Sequence, residues 1–81
     1  MENQRIALLG IVVEDTNMVN QVNELLHQYR QGIVGRMGVP HRTRDLCIIS
    51  VVLEADQDTI SALSGKLGAI KGISSKVLYA K

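Results

Sequence analysis

Two short stretches are apolar at nearly every position, the pattern of strands covered on both faces. Leu46 to Leu53 is apolar at seven of eight positions, with Ser50 the exception. Alternation along it places Cys47, Ile49, Val51 and Leu53 on one face and Leu46, Ile48 and Val52 on the other. Ile6 to Val13, IALLGIVV, repeats the pattern with Gly10 as its weak point. Both stretches belong in the middle of a sheet. Gly32 to Val39 is less apolar and has two interior glycines, which predicts an edge strand. Its alternation groups Ile33, Gly35, Met37 and Val39 on one side, with Val34, Arg36 and Gly38 on the other. Ile73 to Ala80 alternates in part, with Ile73, Ser75, Val77 and Tyr79 sharing a face, and closes the chain as a fourth strand.

Between the strands the period changes to that of a helix. Met18, Val19, Val22, Leu25, Leu26 and Tyr29 form one apolar stripe, while Asn20, Asn23, Glu24 and His27 share the polar face. Asp15 or Thr16 can cap its start, Arg30 suits its negative end, and Gly32 is predicted to stop it in a left-handed conformation. A second helix is expected after Asp56, with Asp58 in its first turn and Ile60, Leu63 and Leu67 as the buried stripe, before an exit bracketed by Gly68 and Gly72.

The order strand, helix, strand, strand, helix, strand predicts an α+β, ferredoxin-like βαββαβ sandwich. Right-handed crossovers place both helices on one face of a four-stranded antiparallel sheet, with the first and third strands central. The other face is left open. Because the central strands are apolar on both sides, a second copy of the chain is the expected cover, giving a homodimer or a higher oligomer such as a tetramer.

Composition narrows the function classes. At 81 residues the chain is read as one domain spanning 1–81 with a small core, since a domain near this size buries only about 60% of its unfolded surface. With no Trp or Phe and two Tyr, it lacks the aromatics on which a nucleic-acid surface stacks bases. Nine basic against eight acidic residues leave a net charge of +1, too little for an autonomous DNA binder. The single Cys cannot form an intramolecular disulfide, and Ile6 to Val13 is too short to span a membrane and leads into Glu14 and Asp15 without a cleavage site. The reading is cytoplasmic, with no membrane span.

Candidate chemistry gathers around the turn after the edge strand. His41 and Cys47 stand six positions apart across a hairpin, and imidazole with thiolate suits nickel, zinc or iron(II). Two ligands are not a site, so a metal would require two from each of two chains at an interface. The plainer alternative makes Cys47 a small core hydrophobe and His41 a solvated turn residue. Arg36, Arg42 and Arg44 add guanidinium groups able to hold a carboxylate or phosphate, or else merely keep an edge hairpin soluble. No nucleophile elbow or phosphate loop occurs, and Glu14, Asp15, Asp56 and Asp58 fall where caps and helix dipoles account for them, so no enzyme is expected. No cofactor is expected either, a transition metal being the sole candidate.

The blocks GIVVED (Gly10 to Asp15), IVGRMGVP (Ile33 to Pro40), IISVVLEAD (Ile48 to Asp56) and ISALSGKLG (Ile60 to Gly68) together resemble the small regulators of the iron-only hydrogenase system. Those proteins look like ACT domains and like the nickel-binding C-terminal domain of the nickel-responsive repressor NikR. The resemblance implies one ACT-like regulatory domain that binds a small ligand or a protein of the hydrogenase system. ACT domains that bind amino acids commonly carry an aspartate and a glycine in the turn after the first strand. Here Asp15 matches the aspartate, and Glu14 to Asn17 holds no glycine. The repressor's His and Cys are matched by His41 and Cys47, but its preceding His is Val39 here and its remaining histidine has no counterpart. The repressor's DNA-binding ribbon-helix-helix segment also lacks a counterpart in these residues, so no direct nucleic-acid binding is expected.

Overall fold

The computed structural model describes residues 4–41 and 43–80. Four strands, β1 (Gln4–Val13), β2 (Ile33–Pro40), β3 (Cys47–Asp56) and β4 (Ile73–Tyr79), form an antiparallel sheet in the order β2-β3-β1-β4. Two helices, α1 (Val19–Gln28) and α2 (Gln57–Gly68), complete the predicted βαββαβ order. The central pair β1 and β3 stays in register over ten residues, from Gln4 opposite Asp56 to Val13 opposite Cys47. That pairing extends both strands beyond their apolar stretches, because Gln4 and Arg5 find partners in Asp56 and Ala55.

The core lies between the sheet and the helices. Ala7, Leu9, Ile11 and Val13 of β1 and Ile49, Val51 and Leu53 of β3 are buried against it. Val22 and Leu26 of α1 and Ile60, Leu63 and Leu67 of α2 meet them, with no side-chain surface left to solvent. This accounts for the helical stripes in the sequence, since those side chains lose the most water on docking. Met18, Val19, Leu25 and Tyr29 widen the α1 stripe as half-buried neighbours.

Three local expectations are revised. The chain does not pass directly from Asp15 into α1, because Thr16–Met18 makes a 3₁₀ turn first, and Asp15 caps that turn by accepting the Asn17 N–H at 3.0 Å. Gly32 is not left-handed. The helix instead tightens into a 3₁₀ turn over Arg30–Gly32, and the only positive φ among the described residues is +82° at Gly72. The Gly32 site is tight, as a Cβ there would stand 3.2 Å from the Glu54 carbonyl oxygen, close enough that the neighbour must give by a few tenths of an ångström. In β2 a bulge between Ile33 and Gly35 breaks the alternation, so Ile33 opposes the buried Leu53 while Gly35, Met37 and Val39 oppose Val52, Ser50 and Ile48 on the other face. The sequence grouping of Ile33 with Met37 and Val39 fails at that one extra residue.

Candidate functional site

One end of the sheet collects the turns that carry most of the candidate chemistry. β1 ends there at Val13, β2 at Pro40, and β3 and β4 begin there at Cys47 and Ile73. The Glu14 N–H donates to the Gly72 carbonyl at 2.8 Å, joining the turn after β1 to the turn before β4. The Thr16 hydroxyl donates to the Asp45 carboxylate and joins the same turn to the β2–β3 hairpin. Three loops distant in sequence are thereby held as one polar surface.

Within it, Asp15 is half-buried, and its Cβ lies 3.0 Å from the position a Cβ would take on Gly72. The glycine lying against the aspartate therefore comes from the opposite turn. Sequence reasoning saw Gly72 only as a helix exit and missed both this approach and the Thr16–Asp45 bond. Neither leaves a local signature, because each joins residues far apart in the chain.

His41 is exposed, and its Nδ1 accepts the backbone N–H groups of Thr43 at 3.3 Å and Arg44 at 3.1 Å. The ring thus serves as the internal cap of the hairpin turn. The turn closes further through His41 N–H to Leu46 carbonyl and Leu46 N–H to Arg44 carbonyl, both 2.8 Å. Arg44 keeps an exposed side chain at the tip. Arg42 lies outside the described residues. Arg36 belongs elsewhere: it opposes Val51 on the helix side, and its Nη2 donates to Asn23 Oδ1 at 2.7 Å, tying β2 to α1.

Cys47 is the other candidate metal ligand. It is half-buried, opposes Pro40 and Val13, and packs against the core. A neutral imidazole whose Nδ1 accepts two N–H groups carries its own proton on Nε2, whereas a ligating imidazole binds through one nitrogen and donates from the other. No group of three or more His, Cys, Asp or Glu side chains able to hold a metal occurs among the described residues. The pair does not fit a metal centre within one chain.

The opposite end has a separate hollow of about 170 Å³ between the end of α1 and the start of α2, lined by Tyr29, Gly32, Leu53, Ala55 and Thr59 among others. It holds no charged side chain. Among the described helices none is long and apolar enough to cross a membrane.

Fold and site together define a small ferredoxin-like α+β module whose polar turns converge at one end of the sheet. The chain belongs to the TM1266-like family, described as "Iron-only hydrogenase system regulator, putative", which matches residues 5–77. It is similar in structure to the uncharacterized protein TM1266 from Thermotoga maritima, with 48% identity and a TM-score of 0.92 over 96% of this chain and 99% of that one. A formyltetrahydrofolate deformylase from Pseudomonas putida KT2440 shares the fold alone, at 14% identity and a TM-score of 0.65, over 90% of this chain and 28% of that one. No curated protein matches the chain.

Proposed function

We propose that the chain is a cytoplasmic regulatory component of the iron-only hydrogenase system, one ACT-like domain that acts by binding and not by catalysis. Family membership over residues 5–77 carries this reading. The module works as a homodimer or tetramer. Its polar end receives a hydrogenase-system protein or a small anionic ligand, with Arg42 and Arg44 supplying guanidinium groups and Asp15 completing the surface. Arg36 takes no part there, being bonded to Asn23.

The test is made in cells that produce iron-only hydrogenase. Exchanging the chain for the Arg42→Ala/Arg44→Ala variant is expected to change hydrogenase activity in the same direction and extent as deleting it, while the melting temperature of the purified variant stays within about 4 °C of the parent. Unchanged hydrogenase activity in both strains would overturn the regulatory reading. Nickel(II), iron(II) and zinc(II) titrations of the reduced protein are expected to show no stoichiometric binding. Tight binding at a fixed ratio of metal to subunits, lost in Cys47→Ala, would replace this reading with a metal sensor whose site is completed between subunits.

A further inference from the structure

The sheet face turned away from the helices is apolar and uncovered, and its side chains fall into rows that the strand registers fix. One row runs Met37, Ser50, Gly10, Lys76 across β2, β3, β1 and β4. The next runs Gly35, Val52, Leu8, Leu78. On every strand a large residue in one row has a smaller or more yielding one beside it in the other: Leu8 beside Gly10, Met37 beside Gly35, Val52 beside Ser50, and Leu78 beside Lys76. The large members stand in water, Leu78 at 70% exposure, Met37 at 63% and Leu8 at 42%. The small members leave real space. A Cβ added at Gly10 or Gly35 meets nothing within 4 Å, and a hollow of about 260 Å³ opens beside Gly10 between Ile48 and Ser74.

We infer that a second copy of the chain covers this face, related by a two-fold axis that lies between the sheets, parallel to the rows and midway between these two. Such an axis exchanges the rows and keeps each strand opposite itself. It sets Leu8 of one copy over Gly10 of the other, Met37 over Gly35, Val52 over Ser50, and Leu78 over the aliphatic stem of Lys76. Self-complementarity of this kind is what an isologous interface requires, because one patch must supply both knob and hole. The sheets then pack about 10 Å apart with strands within about 30° of one another. The footprint, four strands by four rows, is on the order of 400 Å² from standard strand spacings, the size of the largest apolar patch on an ordinary monomer, which is often functional. Charge argues against other occupants. The rows from Val39 to Ile6 carry one lysine, Lys76, and one acid, Glu54, too few for a nucleic acid or an anionic membrane.

The inference rests on the homo-oligomeric part of the proposed function, and the test separates the two. Light scattering of the reduced chain at micromolar concentration is expected to give at least twice the chain mass. A Cβ at position 10 meets nothing of its own chain within 4 Å, so Gly10→Leu is expected to keep the far-ultraviolet circular dichroism of the parent while filling the hole, and to halve the mass. Adding Leu8→Gly to that variant exchanges knob and hole and is expected to restore the mass. Leu78→Lys, at the most exposed position, provides a second disrupting variant independent of any folding defect at Gly10. A monomeric parent would overturn the oligomer and the face together. Parental mass in both Gly10→Leu and Leu78→Lys would overturn the face alone. A halved mass that Leu8→Gly does not restore would overturn the register.

Discussion

Gly72 does more than its place between α2 and β4 suggests. At φ +82° it occupies the region where a Cβ clashes with its own backbone, and that Cβ would also stand 3.0 Å from the Asp15 Cβ. Gly72→Ala is therefore expected to destabilise the chain by about 1–2 kcal/mol from the left-handed conformation alone, or a fall in melting temperature of about 4–16 °C for a domain this small. Thermal unfolding followed by circular dichroism checks it. His41 teaches the complementary lesson. Its residue type suggested a metal ligand, yet its nearest partners are the N–H groups of Thr43 and Arg44, and a ring already accepting two hydrogen bonds is occupied in holding the turn.

Among the elements, α2 is the most fully specified by local chemistry. Asp56 has extended backbone angles and accepts the Thr59 N–H at 2.7 Å, the geometry of an N-cap, and Asp58 adds negative charge to the first turn. Hydrogen bonds from Thr59, the hydroxyl first and then the backbone N–H, hold the Asp56 carboxyl below its ordinary range. A carboxyl whose folded value is depressed favours folding when ionised. Its contribution is fully present above the unfolded value, near pH 4, and is lost as pH falls toward the lowered folded value. Urea midpoints measured from pH 6 to pH 3 should thus fall at the acid end, and Asp56→Asn, which keeps the acceptor without the titration, should show a shallower fall. The start of α1 is built differently. Asp15 caps a 3₁₀ turn rather than the helix itself, and Met18, which precedes α1, makes no side-chain capping bond.

At the scale of the whole molecule, the two faces of the sheet have opposite fates although their sequences look alike. Ile49, Val51 and Leu53 are sealed under the helices, while Ile48, Val52 and the β1 residues Ile6 and Leu8 face outward. Two helices cover one face only, so a chain with this topology either tolerates an apolar outer face or pairs it. The large-over-small matching on each strand favours pairing with a second copy, and the Gly10→Leu and Leu8→Gly exchange reads that matching directly as mass. The bond between Thr16 and Asp45 acts at the same scale, because it joins the turn after β1 to the β2–β3 hairpin across the end of the sheet.

The order of elements, the central placing of β1 and β3, the α2 cap and the buried stripes were all legible in the sequence, since each depends on a period of two or 3.6 or on a neighbour within three residues. The resemblance of four sequence blocks to the hydrogenase regulators was legible as well. Tertiary structure alone decided four things. It inserted the bulge after Ile33 that turns Met37 and Val39 to the open face, it made Gly72 rather than Gly32 the left-handed residue, it drew Arg36 away from the hairpin to Asn23, and it set Asp15 against Gly72. Three of these are contacts or registers between segments far apart in the chain, and the left-handed angle at Gly72 belongs to the turn that one of them closes. Local periodicity carries no information about such pairings, because they are fixed only when the sheet closes and the helices dock on it.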